Sequence, residues 1–255
     1  MLPWQTRLHV WLRLLLLQAS WNFERLQGLG FFYALLPGLR KLYPADQLAA
    51  VSRRYTGYFN THPYLAPLVA GAVLKLEEQR LRDQGDEAEI NEFKEMVAAP
   101  YTAVGDALFW GGGRPLVAGI ALLLAVKGLL WAPLIFLLLF NLVPFWFRIR
   151  FFQRGYREGM RSIELMQQFN LPDWAVRAKE AAIVVLGGLS ALMVYAQLER
   201  QQLPDWLGLL MFVPVVVLAL TARKGVSTLL LVIVVVILIS LFGLFLNDVM
   251  PFFVT

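Results

Sequence analysis

After Pro115 the chain contains five stretches without a single charged side chain: 116–126, 128–147, 181–198, 206–222 and 225–247. No water-soluble fold buries that much uninterrupted apolar chain, whereas a bilayer core needs about 20 apolar residues per helical crossing. The first two runs are separated only by Lys127 and read as a helical hairpin or as one long kinked passage. The other three are each about long enough to span. Composition agrees: 58% of residues are hydrophobic and 16% charged, against about 45–50% and about 25% in soluble domains.

Arg148, Arg150, Arg154, Arg157 and Arg161 crowd into fourteen residues after the second run, with Arg177 and Lys179 beyond. Bases concentrated beside apolar spans mark a cytoplasmic connection. Arg114 then lies inside, Lys127 outside, the short 199–205 loop outside and Arg223-Lys224 inside. The net charge of +5 serves membrane orientation rather than nucleic-acid binding. With no cysteine and two histidines far apart, His9 and His62, disulfides, thiolate chemistry and a metal cluster find no support. No catalytic residue, cofactor or metal ligand is expected.

The first 114 residues are different. Leu8, Trp11, Leu12, Leu15 and Leu16 follow helical spacing within 3–20, and Trp4 and Trp11 suit a helix lying in the headgroup region. Arg13 breaks the apolar run, which argues against a cleaved signal. Asp46 is placed to cap a helix over 47–55. The apolar segment 64–74 is too short to span and reads as re-entrant or buried. The charged stretch 76–96 reads as solvated cytoplasmic helix, with a turn at Gln84-Gly85-Asp86. Gly105–Pro115 holds an acid, an aromatic pair, three consecutive glycines and Arg114. That is too flexible for a regular helix and too polar for lipid, so it reads as lining for a wet cavity or as a cytoplasmic loop.

Three polar-aromatic motifs stand on these broken segments: Trp21-Asn22-Phe23-Glu24-Arg25 with Gly28 and Gly30, Phe59-Asn60-Thr61-His62-Pro63, and Gly105-Asp106 through Phe109-Trp110-Gly111 with Arg114-Pro115. Amides such as Asn22 and Asn60 offer both donors and acceptors to sugar hydroxyls. Glu24 or Asp106 accepts from a hydroxyl pair with charge assistance, and Trp21, Phe59, Phe109 or Trp110 can cover the apolar face of a pyranose. The competing reading has these residues capping helices, with Glu24–Arg25 and Asp106–Arg114 as buried ion pairs and His62 as a hydrogen-bonded structural histidine. Short segments punctuated by proline and glycine beside polar motifs favour a polar solute site built from broken helices.

In their order and spacing the motifs resemble the IID component of the mannose/fructose/sorbose family of the bacterial phosphotransferase system. Glu77-Glu78-Gln79, Phe140-Asn141-Leu142 and Gly155-Tyr156 leading to Gly159 fit the same pattern, so the resemblance runs over about residues 7–200. It implies an all-α integral protein of the bacterial inner membrane, with interfacial and re-entrant helices in 1–114 and about five apolar transmembrane segments in 115–255. It also implies a IIC partner with which the chain forms a sugar path, oligomers of IIC–IID pairs, and IIA and IIB subunits that carry the phosphoryl group to an imported hexose of the mannose type. The chain itself would be neither an enzyme nor phosphorylated. Asn22, Glu24, Asn60 and Thr61 are the substrate-binding candidates that the resemblance supplies; Trp21, Arg25, His62, Asp106, Trp110 and Arg114 shape the site. Two departures stand out. Gln197–Asp205 is a tight turn where family members carry a long external insertion, and 225–255 shows no family motif. A degenerate IID-like anchor or sensor that regulates such a system without moving sugar is the alternative; a freestanding membrane enzyme using Asp106 and His62 is the weaker one.

Overall fold

The computed structural model describes residues 1–83, 86–210 and 212–249. Among these, helix is the only regular structure, and the sole β-type pairings are the isolated bridges Asn22–Leu26 and Leu26–Phe59. Helix α1 covers Trp4–Leu14, α2 Gly28–Leu42, α3 Ala45–Arg53, α4 Ala66–Asp83 and α5 Glu87–Gly105. A π-helical segment, Asp106–Gly113, leads directly into α6, Arg114–Val126. Then come α7 Ala132–Glu158, a 3-10 turn Gly159–Glu164, α8 Leu165–Gln168 and α9 Leu171–Arg200. The remaining helices are α10 Leu207–Leu210, α11 Phe212–Arg223 and α12 Thr228–Val249. By contacts the chain forms two units, Met1–Leu189 and Ser190–Thr255, so the change of character at 114/115 falls inside the first.

Local chemistry explains most boundaries. Asp86 accepts the Ala88 amide at 3.0 Å and so caps α5, whose first turn holds Glu87 and Glu89 against the positive end of the helix dipole. Gly128, at φ +83°, makes the turn between α6 and α7, so the hairpin reading is the correct one for 116–147. Gly159, at φ +57°, stops α7. Helix α1 ends at Leu14 and continues as turns rather than reaching residue 20. Helix α3 starts after Pro44, with Asp46 in its first turn and no side-chain cap. Of the turn expected at Gln84-Gly85-Asp86, the first two residues lie outside the described residues.

The core sits on α4. Ala66, Val69, Ala70, Ala72, Val73 and Leu74 are all completely buried, the mark of a helix surrounded by protein on every side. Its closest neighbour is α7, and the two helices meet backbone to backbone. A β-carbon on Gly71 would come within 2.4 Å of the Phe152 carbonyl oxygen, and one on Gly155 within 2.1 Å of the Leu68 carbonyl oxygen. Only glycine at these two positions lets the helix backbones touch.

The expectation of a solvated 76–96 stretch fails at its start. Glu77 is completely buried and Glu78 nearly so. The hydroxyls of Tyr43 and Tyr55 both donate to Glu77, Arg54 Nη1 reaches it at 3.2 Å, and Arg80 Nη1 lies at 3.7 Å. Burial, reinforced by the Glu77 carboxylate, pushes the Tyr43 hydroxyl up to about 12 and the Tyr55 hydroxyl well above its ordinary value, so both remain donors. Glu78 accepts from the Tyr156 hydroxyl and the Leu2 amide. Gln79, Asp86, Glu89 and Glu92, by contrast, do face outward or lie only part-buried.

Two helical stretches, Glu87–Val126 and Ala132–Arg200, the second interrupted after Glu158 by the 3-10 turn and α8, contain segments long and apolar enough to cross a membrane, and α11 and α12 add shorter apolar helices. On α11 and α12 most large side chains through Leu241 stand exposed, Val215 at 61% and Ile239 at 66% for example, a surface only lipid or other apolar helices can cover.

The α4–α7 crossing gives a sharp expectation. Gly155→Leu should abolish folded protein, while Gly187→Leu, which has open space around the added carbon, should be tolerated. Monodisperse yield of detergent-extracted protein by size-exclusion chromatography checks this; equal yields would contradict the crossing.

Candidate functional site

The first two motifs form one structural piece. Gln27, itself buried, donates from Nε2 to the Thr61 carbonyl at 2.7 Å and accepts the Thr61 amide on Oε1 at 3.1 Å. The Gln27 amide also donates to the Phe59 carbonyl at 2.9 Å, and the Phe59 amide to the Arg25 carbonyl at 3.3 Å. Phe31 stacks on Phe59 at 3.9 Å. Gly28 is required at this contact, because a β-carbon there would lie 1.9 Å from the Gly57 carbonyl oxygen. An extended segment broken at Pro63 is thereby held against the start of α2.

The third motif closes over the second. His62 is buried between Phe109, stacked at 5.1 Å, Trp110 at 4.7 Å and the edge-on ring of Tyr64 at 4.9 Å. Gly105 backs the imidazole, since a β-carbon there would meet His62 Cβ at 2.3 Å. The π-helix explains why Phe109 and Trp110 can reach the same ring. Pro115 cannot donate to the Gly111 carbonyl and its ring crowds that group. The glycines at 111–113 let the backbone widen in response, so the segment is helical after all, in the looser register that often marks functional positions.

Electrostatically, His62 is neutral. Burial pushes its pKa down to about 4, with the positive charge of Arg148 adding to the effect. His62 lies outside the two candidate spans. Nδ1 accepts the Tyr64 amide at 3.3 Å, which places the proton of the neutral ring on Nε2. Nε2 is buried with no hydrogen-bond partner, 3.9 Å from Asp106 Oδ1. The adjacent Thr61 hydroxyl is buried and unpartnered too. Asn60 is part-buried; its carbonyl accepts from Thr102 at 3.4 Å, and among the described residues no group takes its side-chain amide. Three consecutive residues thus hold unused hydrogen-bonding capacity beside a half-exposed carboxylate.

Not all candidates gather there. Asn22 spends its side chain locally: Oδ1 accepts the amides of Glu24 and Arg25 at 3.1 and 2.9 Å, and Nδ2 donates to the Ser20 carbonyl at 3.3 Å. Glu24 is 80% exposed and pairs with Arg25 at 3.7 Å, so this ion pair is a surface one. Trp21 sits edge-on to Phe23, both exposed. Arg114 is exposed and has no ion-pair partner among the described residues; the Asp106–Arg114 bridge does not form. Gln27 and Tyr64 were missed as organising residues. The one available signal was Gln27, a polar residue wedged between Arg25 and the glycines that open an apolar helix.

The fold and site together define an all-α integral membrane protein whose polar residues cluster on broken helical segments. The family model of the "PTS system mannose/fructose/sorbose family IID component" matches residues 2–246, and the chain belongs to that family. It is 38% identical to the mannose-specific EIID component of Escherichia coli K12 over 183 residues, 71% of this chain and 65% of the relative's length. The chain thus aligns with slightly under two thirds of that relative. A solved structure described as a membrane protein superposes with a TM-score of 0.73 at 28% identity, covering 97% of this chain and 96% of the other. The cryo-EM structure of the mannose transporter ManYZ with microcin E492 superposes at 0.61 and 30% identity, covering 98% and 96%.

The depressed His62 pKa carries a pH dependence. The unfolded histidine takes its proton near 6.5 and the folded one only near 4. Between those values the unfolded state binds more protons, so stability is full above about 6.5 and falls as pH drops towards about 4, by about 3 kcal/mol in all. Thermal unfolding in detergent at pH 7.5 and pH 5 should show a loss at low pH that His62→Gln reduces. An identical pH response in the variant contradicts the assignment.

Proposed function

We propose that this chain is the IID subunit of a sugar-translocating permease of the phosphotransferase system. It would form the sugar path with a IIC subunit, so that a hexose of the mannose type is phosphorylated by IIB on arrival at the inner face. In this reading the protein is a multi-pass component of the bacterial inner membrane, assembled as oligomers of IIC–IID pairs. It supplies binding and positioning, while IIA and IIB supply the phosphoryl chemistry. The observation that carries the proposal is the run Asn60–His62. It presents an untaken amide, an unpartnered buried hydroxyl and an unpartnered imidazole N–H at a helix break, next to Asp106. Polar groups left unpaired in a buried setting cost about 1–3 kcal/mol each, and a sugar, dense in hydroxyls of both donor and acceptor character, relieves that cost.

The roles divide accordingly. Asn60 and Thr61 contact sugar, His62 donates from Nε2, and Asp106 accepts from a hydroxyl. Trp110, 42% exposed, offers an aromatic face. Glu24 is free to accept from a hydroxyl, and Asn22, with Arg25 and Trp21, shapes the turn that Gln27 ties to Thr61. Arg114 acts at the edge of the π-segment.

Uptake of labelled mannose by cells carrying this chain with its genomic IIC partner and matching IIA and IIB tests the reading. Asn60→Ala and Thr61→Val, at equal membrane levels, should each lower accumulation of phosphorylated sugar by about tenfold. Thr61→Val removes no protein hydrogen bond, so its thermal stability should match wild type, which separates ligand contact from folding. If the assembled wild-type complex takes up neither mannose nor another hexose, the transport reading fails and the regulatory anchor replaces it.

A further inference from the structure

We infer that the groove between α1 and α7 is a binding site for an anionic phospholipid of the cytoplasmic leaflet. The two helices run antiparallel here: Arg7 lies over the ring of Tyr156 at 5.0 Å, and Trp11 meets Phe145 edge-on at 5.4 Å. Between them is a groove of about 510 Å³, within the usual range of about 300–1,000 Å³ for small-ligand sites. Its two ends differ in chemistry. One end carries Arg7, Gln153 and Arg157; the other is walled by Leu8, Trp11, Phe145 and Ile149.

Arg7 Nε and Trp11 Nε1 are both buried and have no hydrogen-bond partner. Neither Arg7 nor Arg157 has an acidic partner among the described residues. Glu158 is taken by Arg154 at 3.0 Å, and Glu78 is engaged by Tyr156 and the Leu2 amide. Two unpaired guanidinium groups and a buried unpartnered donor call for an anion. The apolar continuation of the groove calls for that anion to carry a hydrocarbon chain.

The spacing suits a phospholipid. Arg7 and Trp11 are one helical turn apart, about 6 Å along the axis, which allows a phosphate on the arginines and an ester carbonyl on the indole N–H. From Arg157 to Phe145 the axis covers about 18 Å, enough for glycerol and the upper acyl chain to lie along Ile149 and Phe145. The arginines of 148–161 mark this end as cytoplasmic, the leaflet rich in anionic headgroups. The tryptophans Trp4 and Trp11 stand where interfacial aromatics belong.

Native mass spectrometry of the full-length protein with phosphatidylglycerol or phosphatidylcholine of equal chain length tests the site. Wild type should retain phosphatidylglycerol preferentially. Arg157→Gln, at an exposed position, should weaken that preference about fivefold, in line with about 1 kcal/mol per basic residue at an anionic surface. Arg7→Gln with Arg157→Gln should weaken it more than tenfold, and Trp11→Phe, which keeps the ring contact with Phe145, should weaken it a few-fold. Equal retention of both lipids by wild type overturns the proposal, as does an unchanged preference in Arg157→Gln. Competition by free glycerol phosphate as strong as by the lipid would assign the arginines to a soluble phosphate instead. A photo-crosslinker at Leu8 in native membranes should yield lipid adducts; capture of a second copy or of another polypeptide makes this face a protein interface and overturns the assignment.

Discussion

The backbone contact between α4 and α7 sets the positions of nearly everything else in residues 1–189. Gly71 and Gly155 let the two helices approach until carbonyl and amide groups, rather than side chains, form the interface. Such close approach brings backbone atoms into dispersion contact that any larger residue at the crossing would prevent. Its geometric result is that both ends of α4 are fixed. One end presents Thr61 and His62 towards the face of α7 that bears Arg148, whose guanidinium lies 5.0 Å over the Tyr64 ring. The other end carries Glu77 and Glu78 into the protein.

Those two carboxylates complete what the glycines begin. A buried carboxylate needs protein donors in place of water, and removing one partner of such a group costs about 3–5 kcal/mol. Glu77 draws its donors from Tyr43 and Tyr55, on either side of α3, and from Arg54; Glu78 draws on Tyr156 of α7 and the backbone just before α1. Arg54 also pairs with Glu87 at 2.6 Å, extending the network to the start of α5. Each helix around α4 is therefore held in rotation and depth by a directional bond, not only by contact. The apolar crossing supplies proximity and the carboxylates supply register.

This division explains what could be read in the chain and what could not. The charge-free runs and the alternation of broken and continuous helix were legible, because they depend on local composition; the choice between a hairpin and one kinked passage at 116–147 needed the Gly128 turn. The apolar segment 64–74 is indeed buried, but as the first part of a helix that continues to Asp83. Lys75, Glu77 and Glu78 look like an exit to water unless one knows that tyrosines 22, 34 and 78 positions away neutralise the cost of burying the acids. Likewise Gly105–Pro115 read as too flexible for helix. The glycines and Pro115 loosen the register into a π-helix, and the packing of His62 against Gly105 and of Ala178 against Gly112 keeps it ordered. Thr61, His62, Asp106 and Trp110 do come together, while Asn22 turns inward on its own backbone and Arg114 stands apart. Adjacent acids and bases in sequence do not reveal whether a salt bridge will be buried. Glu24–Arg25 is a surface pair, and Asp106 faces His62 rather than Arg114.

The distribution of unpaired polar atoms adds a final constraint. Among the described residues, every buried side-chain nitrogen or oxygen without a hydrogen-bond partner belongs to Arg7, Trp11, Thr61, His62 or Glu78, all within Met1–Leu189. Folded chains keep few such atoms because each carries an uncompensated desolvation cost. Their confinement to two places outside the carboxylate network, the α1–α7 groove and the 60–62 break, means that the first unit carries the polar recognition chemistry. Helices α11 and α12, predominantly apolar and largely exposed, contribute surface for lipid or neighbouring helices. Substitutions that preserve hydrophobicity along 212–241 should therefore be cheap by comparison with single-atom changes at Thr61 or His62, because lipid is indifferent to which apolar side chain it meets and a hydrogen-bonding site is not.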